Sequence, residues 1–135
     1  LLPRPDGPAH RYRSIAIGWD GSRAAARALA DALPLLSAAD AIELLVVTGD
    51  KELPTAADPT EAQRHLATHG ISTGIRTIEA RRRDAGTALC EEALALGGDL
   101  LVMGAFGHSR VREFVLGGAT QSVLDDVRLP VLLSH

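Results

Sequence analysis

The chain is poor in several residue types, and each scarcity excludes a class of protein. A single cysteine, Cys90, excludes an intramolecular disulfide and is typical of a reducing compartment, so we expect a cytoplasmic protein. Aromatic residues make up only 3% of the 135 residues, so the core must be aliphatic. The formal net charge of −3 argues against a nucleic-acid partner, because nucleic-acid binders are usually basic. No apolar run approaches the ~20 residues of a membrane span and no signal peptide is recognisable, so we expect no membrane contact.

What the chain does contain is a regular alternation of apolar runs and helical periodicities. Five runs predict strands, over residues 15–19, 42–47, 71–79, 100–103 and 131–134. The third run alternates apolar and polar residues, as an edge strand does. Because helical stretches separate most of these strands, we predict the α/β class, with an open five-stranded parallel sheet and helices on both faces.

Helix boundaries are also legible in the sequence. Ser22, Thr60 and Asp84 stand where a hydroxyl or carboxylate can cap a helix, the second helix ending near Gly70 and the third at Gly97-Gly98. A proline, Pro34, falls inside the first periodic stretch and predicts a kink or an early end. A last helix is predicted over residues 119–127.

Two glycine-rich turns flank a short basic stretch after the fourth strand. Their spacing, from Gly104 through Gly107 to Gly117 and Gly118, is Gly-x2-Gly-x9-Gly-Gly. Glycines between a strand and a helix start let backbone N–H groups approach a phosphate. The pattern is neither the dinucleotide fingerprint nor a P-loop, because it lacks Gly-Lys-Ser/Thr. An anion here would therefore be bound by backbone amides, by hydroxyls and by the guanidinium of Arg110 or Arg112.

Three segments in this order resemble the universal stress protein superfamily. In chain order they are an opening strand that runs into Asp20-Gly21-Ser22, the glycine motif, and a final strand that follows Pro130. The resemblance covers roughly residues 13–135. One departure concerns the ligand, because nucleotide-binding members carry Ser or Thr directly after the last motif glycine. This chain has Gly118 there, with Thr120 two residues on.

The resemblance implies a strand order of 3-2-1-4-5, the adenine nucleotide α-hydrolase-like arrangement. In that order the winding reverses between strands one and four, which leaves a crevice at their carboxyl ends. Asp20 ends the first strand and Gly104 the fourth, so both reach this crevice. We assign residues 14–135 to the domain and residues 1–13 to a linker or N-terminal extension, since family members also occur as tandem domains.

By resemblance, the crevice binds ATP or a related adenine nucleotide, with Mg²⁺ as an optional companion. Asp20 would accept from a ribose hydroxyl or the adenine amino group, or else it only caps its own turn. Gly104 and Gly107 would let phosphates approach, or else they only form a turn at positive φ. The side chains of Trp19, Val47 and Met103 would line an adenine slot, or else serve the core alone.

The second glycine turn supplies a helix-start anion site in the same interpretation. Its members are the backbone N–H groups and hydroxyl of Gly117, Gly118, Ala119 and Thr120, with Arg110 as a candidate cation. The alternative is an ordinary glycine-rich helix start without a ligand. A further pair, His65 and His69, is spaced for one helix face but lacks an evident third metal ligand, so a solvated pair is favoured.

Two functions remain open from the sequence. The first is a stress-response regulatory module whose adenine nucleotide biases association or a partner contact. Slow ATP hydrolysis is the most that its residues allow, because no catalytic arrangement stands out. The second is a dimerisation module of the same fold with a degraded phosphate site. In either case the short apolar last strand lies at the sheet edge and predicts a homodimer, or a pseudo-dimer of tandem domains.

Overall fold

The fold is an open parallel sheet with helices on both sides. A computed structural model describes residues 11–49, 58–105, 122–123 and 126–134. The elements in chain order are β1 (Ser14–Gly18), α1 (Arg23–Leu36), β2 (Ala41–Thr48), α2 (Thr60–Thr68), β3 (Gly74–Glu79), α3 (Ala85–Ala95), β4 (Leu100–Gly104) and β5 (Val131–Ser134). All strand pairs are parallel and the order is β3-β2-β1-β4-β5, which confirms the predicted fold class and order.

Two aliphatic core clusters lie on opposite faces of the sheet. Within β1, Ile15 and Ile17 belong to the cluster under α1 and α2, whereas Ala16 belongs to the cluster under α3. The same alternation continues in β2 and β4, as period-two side chains require. The scarcity of aromatic residues is met by Leu, Ile, Val and Ala, which supply nearly all of the buried hydrophobic side chains.

Helix α1 begins as predicted and does not end early at its proline. The Ser22 hydroxyl accepts a hydrogen bond from the Ala25 N–H at 3.0 Å, which is the expected N-cap. The expected early end at Pro34 is wrong, because the helix continues to Leu36. Pro34 lies in the last turn, where its missing N–H removes only one backbone hydrogen bond. The buried apolar residues of α1 keep the helix in place despite this loss. At the middle of the helix, Asp31 accepts a hydrogen bond from the Ser134 hydroxyl of β5 at 2.6 Å.

The second helix is capped differently from the prediction. Thr60 is its first helical residue, and the Asp58 carboxylate accepts from both the N–H and the hydroxyl of Thr60, at 2.9 and 2.7 Å. These two hydrogen bonds lower the pKa of Asp58. The helix ends at Thr68, and Gly70 follows at a φ of 71°, close to the predicted stop.

Helix α3 has the predicted cap. Asp84 accepts from the Thr87 N–H at 3.0 Å and from the Thr87 hydroxyl at 2.7 Å. Burial raises the pKa of Asp84, but these hydrogen bonds and one from Ser122 together outweigh burial, so the pKa is lowered. The helix ends at Ala95, and Gly97 follows in the left-handed region, as predicted.

The third strand begins later than its alternating pattern predicts. Residues 71–73 pack against α2 instead of joining the sheet: Ile71 is buried under that helix, and the Gln63 side-chain amide donates to the Thr73 carbonyl at 2.7 Å. Of the predicted helix 119–127, residues 122 and 123 are helical, whereas 126 and 127 lie in a turn and a coil; the others lie outside the described residues. The helix therefore ends earlier than predicted.

Residues 11–13 pack at the amino-terminal edge of the sheet. Tyr12 is buried, and the Arg13 carbonyl accepts from the N–H groups of Asp40 and Ala41. The Asp99 carboxylate accepts from the Arg13 N–H at 2.9 Å, which joins this segment to the start of β4. The domain boundary after residue 13 stays a prediction. In the described part of the chain, no helix has the length and apolarity needed to cross a bilayer.

Candidate functional site at the carboxyl edge of β1 and β4

The predicted crevice lies where the winding of the sheet reverses. β2 and β3 extend from β1 in one direction, and β4 and β5 extend in the other. Ile17 pairs with Val102, so the residues two positions on, Trp19 and Gly104, reach the same carboxyl edge. The structure thus brings together the ends of β1 and β4. Ligands of open α/β sheets bind at this kind of reversal.

Asp20 forms the turn that starts α1. Its Oδ1 accepts a hydrogen bond from the Ser22 N–H at 2.9 Å, and Gly21 between them has a φ of 74°. This geometry matches the structural interpretation of Asp20, in which the side chain caps its own turn. An ionised carboxylate accepts from several donors, so this bond is compatible with a ligand contact as well.

Gly104 packs directly under the first turn of α1. A Cβ at this position would lie 2.5 Å from the Ala25 nitrogen, 2.6 Å from the Ala24 carbonyl carbon and 2.9 Å from the Ala24 Cβ. Among the glycines of the described chain, Gly104 is not one of those at positive φ. The interpretation of Gly104 as a turn glycine at positive φ is therefore wrong. Close packing of the helix requires the glycine, because no side chain fits beneath α1.

The residue after Gly104 is also committed to the fold. The Ala105 N–H donates to the Ser134 carbonyl of β5 at 2.7 Å. This amide extends the β4–β5 ladder, so it cannot also donate to a phosphate. The anion-binding amides proposed from the glycine motif must therefore come from residues beyond Ala105.

The three side chains predicted to line an adenine slot divide between the two faces. Met103 and Val47 are buried in the cluster under α3, with 4% and 7% of their surface exposed. Trp19 packs against the cluster under α1 and α2 and is only partly buried. The structure does not bring all three into one cluster. Core packing accounts for the two buried side chains, while Trp19 lies beside Asp20 at the edge.

The second half of the predicted site lies outside the described residues. This holds for Gly107, Arg110, Gly117, Gly118, Ala119 and Thr120. The described half consists of the β1 end, the β4 end and the start of α1. Sequence reasoning missed the two alanines of α1, Ala24 and Ala25, that lie over Gly104. Their signal was a pair of small residues just after the Ser22 cap.

Other titratable clusters do not compete with this edge. His65 and His69 approach edge to face, with ring centroids 5.1 Å apart. Within residues 11–49, 58–105, 122–123 and 126–134, no group of three or more His, Cys, Asp or Glu is arranged to hold a metal ion. Burial raises the pKa of the Cys90 thiol, which keeps it protonated among core alanines and leucines.

The open parallel sheet, with the Asp20 turn where its winding reverses, places this chain among the open-sheet α/β domains. The sequence model of the universal stress protein family matches residues 11–135, and the chain belongs to that family. A universal stress protein of Synechocystis sp. is 56% identical over 34 residues, which are 25% of this chain and 12% of that relative. The aligned segment thus spans about an eighth of that relative's length.

Solved structures share the fold at low sequence identity. Universal stress protein UspA from Lactobacillus plantarum is 19% identical and matches with a TM-score of 0.73, covering 93% of this chain and 99% of that chain. A universal stress protein solved in complex with cAMP is 20% identical and matches with a TM-score of 0.64, again covering 93% and 99%. At these identities the comparisons establish the fold.

Proposed function

We propose that this universal stress protein domain binds ATP or a related adenine nucleotide at the carboxyl edge of β1 and β4. The observation that carries the proposal is the meeting of the Asp20 turn and the Gly104 strand end at the reversal of the sheet. A fold relative solved in complex with cAMP supports the choice of an adenine nucleotide. In the proposal, the Asp20 carboxylate accepts from a ribose hydroxyl or from the adenine amino group.

The phosphate end of the proposed site rests on the sequence motif. Gly107, Gly117 and the residues that follow would supply backbone N–H groups, Arg110 would supply positive charge, and Mg²⁺ would accompany the phosphates. We expect Gly107→Val and Gly117→Val to abolish nucleotide binding without unfolding the domain, because a branched Cβ blocks backbone approach. Folded variants that bind ATP like the parent would show that these glycines only form turns.

Calorimetric titration with ATP and Mg²⁺ tests the proposal, with Asp20→Asn as the decisive variant. The amide oxygen of asparagine can still accept from the Ser22 N–H, so the turn persists while the carboxylate charge is lost. We expect binding to weaken by about tenfold, the worth of one charge-assisted hydrogen bond. Asp40→Asn is the matched control, since Asp40 lies at the opposite edge and pairs with Arg11 and Arg13.

The outcomes of this titration separate the two functions. Heat with ATP that falls in Asp20→Asn and persists in Asp40→Asn supports the nucleotide site. No heat and no thermal shift at millimolar nucleotide would reject it. The proposed role is regulatory: occupancy of the site biases association or a partner contact. Slow ATP hydrolysis is the most that we assign.

The second candidate function is association through the last strand. β5 is the edge of the sheet next to β4, and its Leu132 and Leu133 are only partly buried, one against each core cluster. An edge strand with apolar side chains on both faces is a template for another strand. In this proposal β5 pairs with its own copy in a homodimer, or with a second domain in a tandem protein. It requires no nucleotide.

A further inference from the structure

The indole nitrogen of Trp19 is a buried hydrogen-bond donor that has no acceptor among the described residues. The backbone N–H of Trp19 donates to the Leu45 carbonyl at 2.8 Å, which extends the β1–β2 ladder by one residue. Its indole packs against the cluster under α1 and α2. Its Nε1 is shielded from solvent and unpaired, a state shared within the described chain only by the Thr73 hydroxyl.

The two unpaired groups differ in chemistry and in place. A hydroxyl is both donor and acceptor and rotates freely, whereas an indole N–H is a donor only and is fixed by its ring. Thr73 precedes β3 at the amino-terminal edge, whereas Trp19 follows β1 at the carboxyl edge. A buried donor left without an acceptor destabilises the folded protein, and buried Trp N–H groups usually have a partner. Trp19 therefore lacks an acceptor at the place where a ligand is proposed to bind.

Trp19 and Asp20 are adjacent at this edge and offer complementary chemistry. Asp20 presents a carboxylate that accepts, and Trp19 presents an N–H that donates. The exposed edge of adenine carries the same two functions next to each other, an amino donor and a ring-nitrogen acceptor. A nucleoside thus offers acceptors for the Trp19 N–H as well as donors for the Asp20 carboxylate.

The geometry points to Trp19 as a residue that positions the ligand by donating a hydrogen bond from Nε1 to an acceptor atom of the bound nucleoside. This inference rests on the proposed function and deepens it. The interpretation drawn from the sequence treated Trp19 only as an apolar wall. Its unpaired N–H instead gives it a directional role, since the bond forms with an acceptor in the plane of the ring.

Trp19 is the single tryptophan of the chain, so the test can address one atom. With ¹⁵N-labelled tryptophan, an amide correlation spectrum contains one indole signal, which is followed during titration with ATP and Mg²⁺. We expect the indole proton to shift downfield and to exchange more slowly with solvent. A second sample replaces tryptophan with its benzothiophene isostere, which keeps the ring shape and substitutes sulfur for the N–H.

The isostere is expected to bind ATP about fivefold to twentyfold more weakly than the parent. Its melting temperature without nucleotide should equal or exceed that of the parent, because an unpaired buried donor has been removed. A merely structural role predicts the opposite pattern, a less stable protein with unchanged affinity. Trp19→Phe provides a genetically encoded version of the same change, with a smaller ring.

Each outcome decides a different proposal. A shifted indole signal together with weaker binding by the isostere supports the inference. ATP binding with an unmoved indole signal and unchanged affinity of the isostere overturns it and leaves the proposed function intact. A loss of stability in the nucleotide-free isostere also overturns it, because the N–H would then already have an internal acceptor. No ATP binding by the parent overturns both.

Discussion

Gly104→Ala should destabilise the domain even though it adds a single methyl group. The new Cβ would lie 2.5–2.9 Å from three atoms of Ala24 and Ala25, two of which belong to the backbone of α1. Backbone atoms cannot rotate away as a side-chain end can, so the first turn of α1 or the end of β4 must move. Forced repacking of this kind costs about 1–3 kcal/mol. Because two of the three atoms are backbone, we expect the upper end of this range, about 3 kcal/mol. Alanine recovers about 1 kcal/mol of the entropy that glycine loses on folding, so a net loss near 2 kcal/mol is expected.

Thermal and urea denaturation, followed by circular dichroism at 222 nm, measure this loss. A change of 2 kcal/mol corresponds to a fall of about 5–10 °C in melting temperature for a domain of this size. Gly18→Ala is the matched control on the neighbouring strand. Its Cβ would approach the Leu89 Cδ1 at 2.9 Å, the flexible end of a side chain, so we expect a loss below about 1 kcal/mol.

Equal stability of Gly104→Ala and Gly18→Ala would refute this reasoning, because it would mean that α1 does not press on Gly104. The comparison also bears on ligand experiments. A variant of Gly104 that fails to bind nucleotide has a displaced helix start, so the failure does not by itself identify a lost phosphate contact. Asp20→Asn, which preserves the turn, is the cleaner probe.

Three further changes have defined outcomes. Asp84→Asn keeps an acceptor for the Thr87 N–H but cannot titrate. Because folding lowers the pKa of Asp84, the wild type should have a larger free energy of unfolding than the variant at pH values above the unfolded pKa of about 3.9. That excess, below about 1 kcal/mol for so exposed a side chain, should vanish as the pH falls through the folded pKa. Leu132→Lys should convert a dimer to a monomer in sedimentation velocity at tens of micromolar, whereas Leu94→Lys, on the exposed face of α3, should not. Pro34→Ala should raise the unfolding free energy by about 1 kcal/mol in urea titration, since the last turn of α1 regains a hydrogen bond.

Each of these expectations has its own contradiction. A constant difference between the wild type and Asp84→Asn from pH 7 to pH 2 would show that the carboxylate gains nothing from its charge. A wild-type protein that already sediments as a monomer at tens of micromolar would remove the basis of the β5 dimer. A less stable Pro34→Ala would show that proline contributes more by restricting the unfolded chain than it costs the helix.

Local signals predicted the fold well where they were self-contained. The caps at Ser22 and Asp84 and the stop at Gly97 depend on a few neighbouring residues, and the structure confirms them. Local reasoning was wrong about an early end at Pro34 and about the start of β3, because burial against other elements decides both. The apolar stripe of α1 holds the helix through its proline, and α2 holds residues 71–73 away from the sheet.

The candidate site shows the same division. The reversal of the sheet between β1 and β4 followed from the strand order that the family resemblance implied. The role of Gly104 did not follow, because it depends on a helix start contributed by residues about 80 positions earlier in the chain. The missing Cβ of Gly104 thus serves packing against α1, and the N–H of the next residue, Ala105, serves the β4–β5 ladder. The sequence could not predict that the indole N–H of Trp19 lacks an acceptor either, because its hydrogen bonding depends on the side chains that surround it in the fold.

The hydrogen bond between Asp31 and Ser134 gives helix α1 a mechanical role. The helix rests on Gly104 at its first turn, and seven residues further along, about 10 Å at 1.5 Å per residue, it is fastened to the outermost strand. Because α1 contacts Gly104 at one point and β5 at the other, a tilt of the helix at one contact changes the other. Helix α1 and the β4–β5 ladder, in which the Ala105 N–H donates to the Ser134 carbonyl, therefore both connect the Gly104 end of β4 to the last strand.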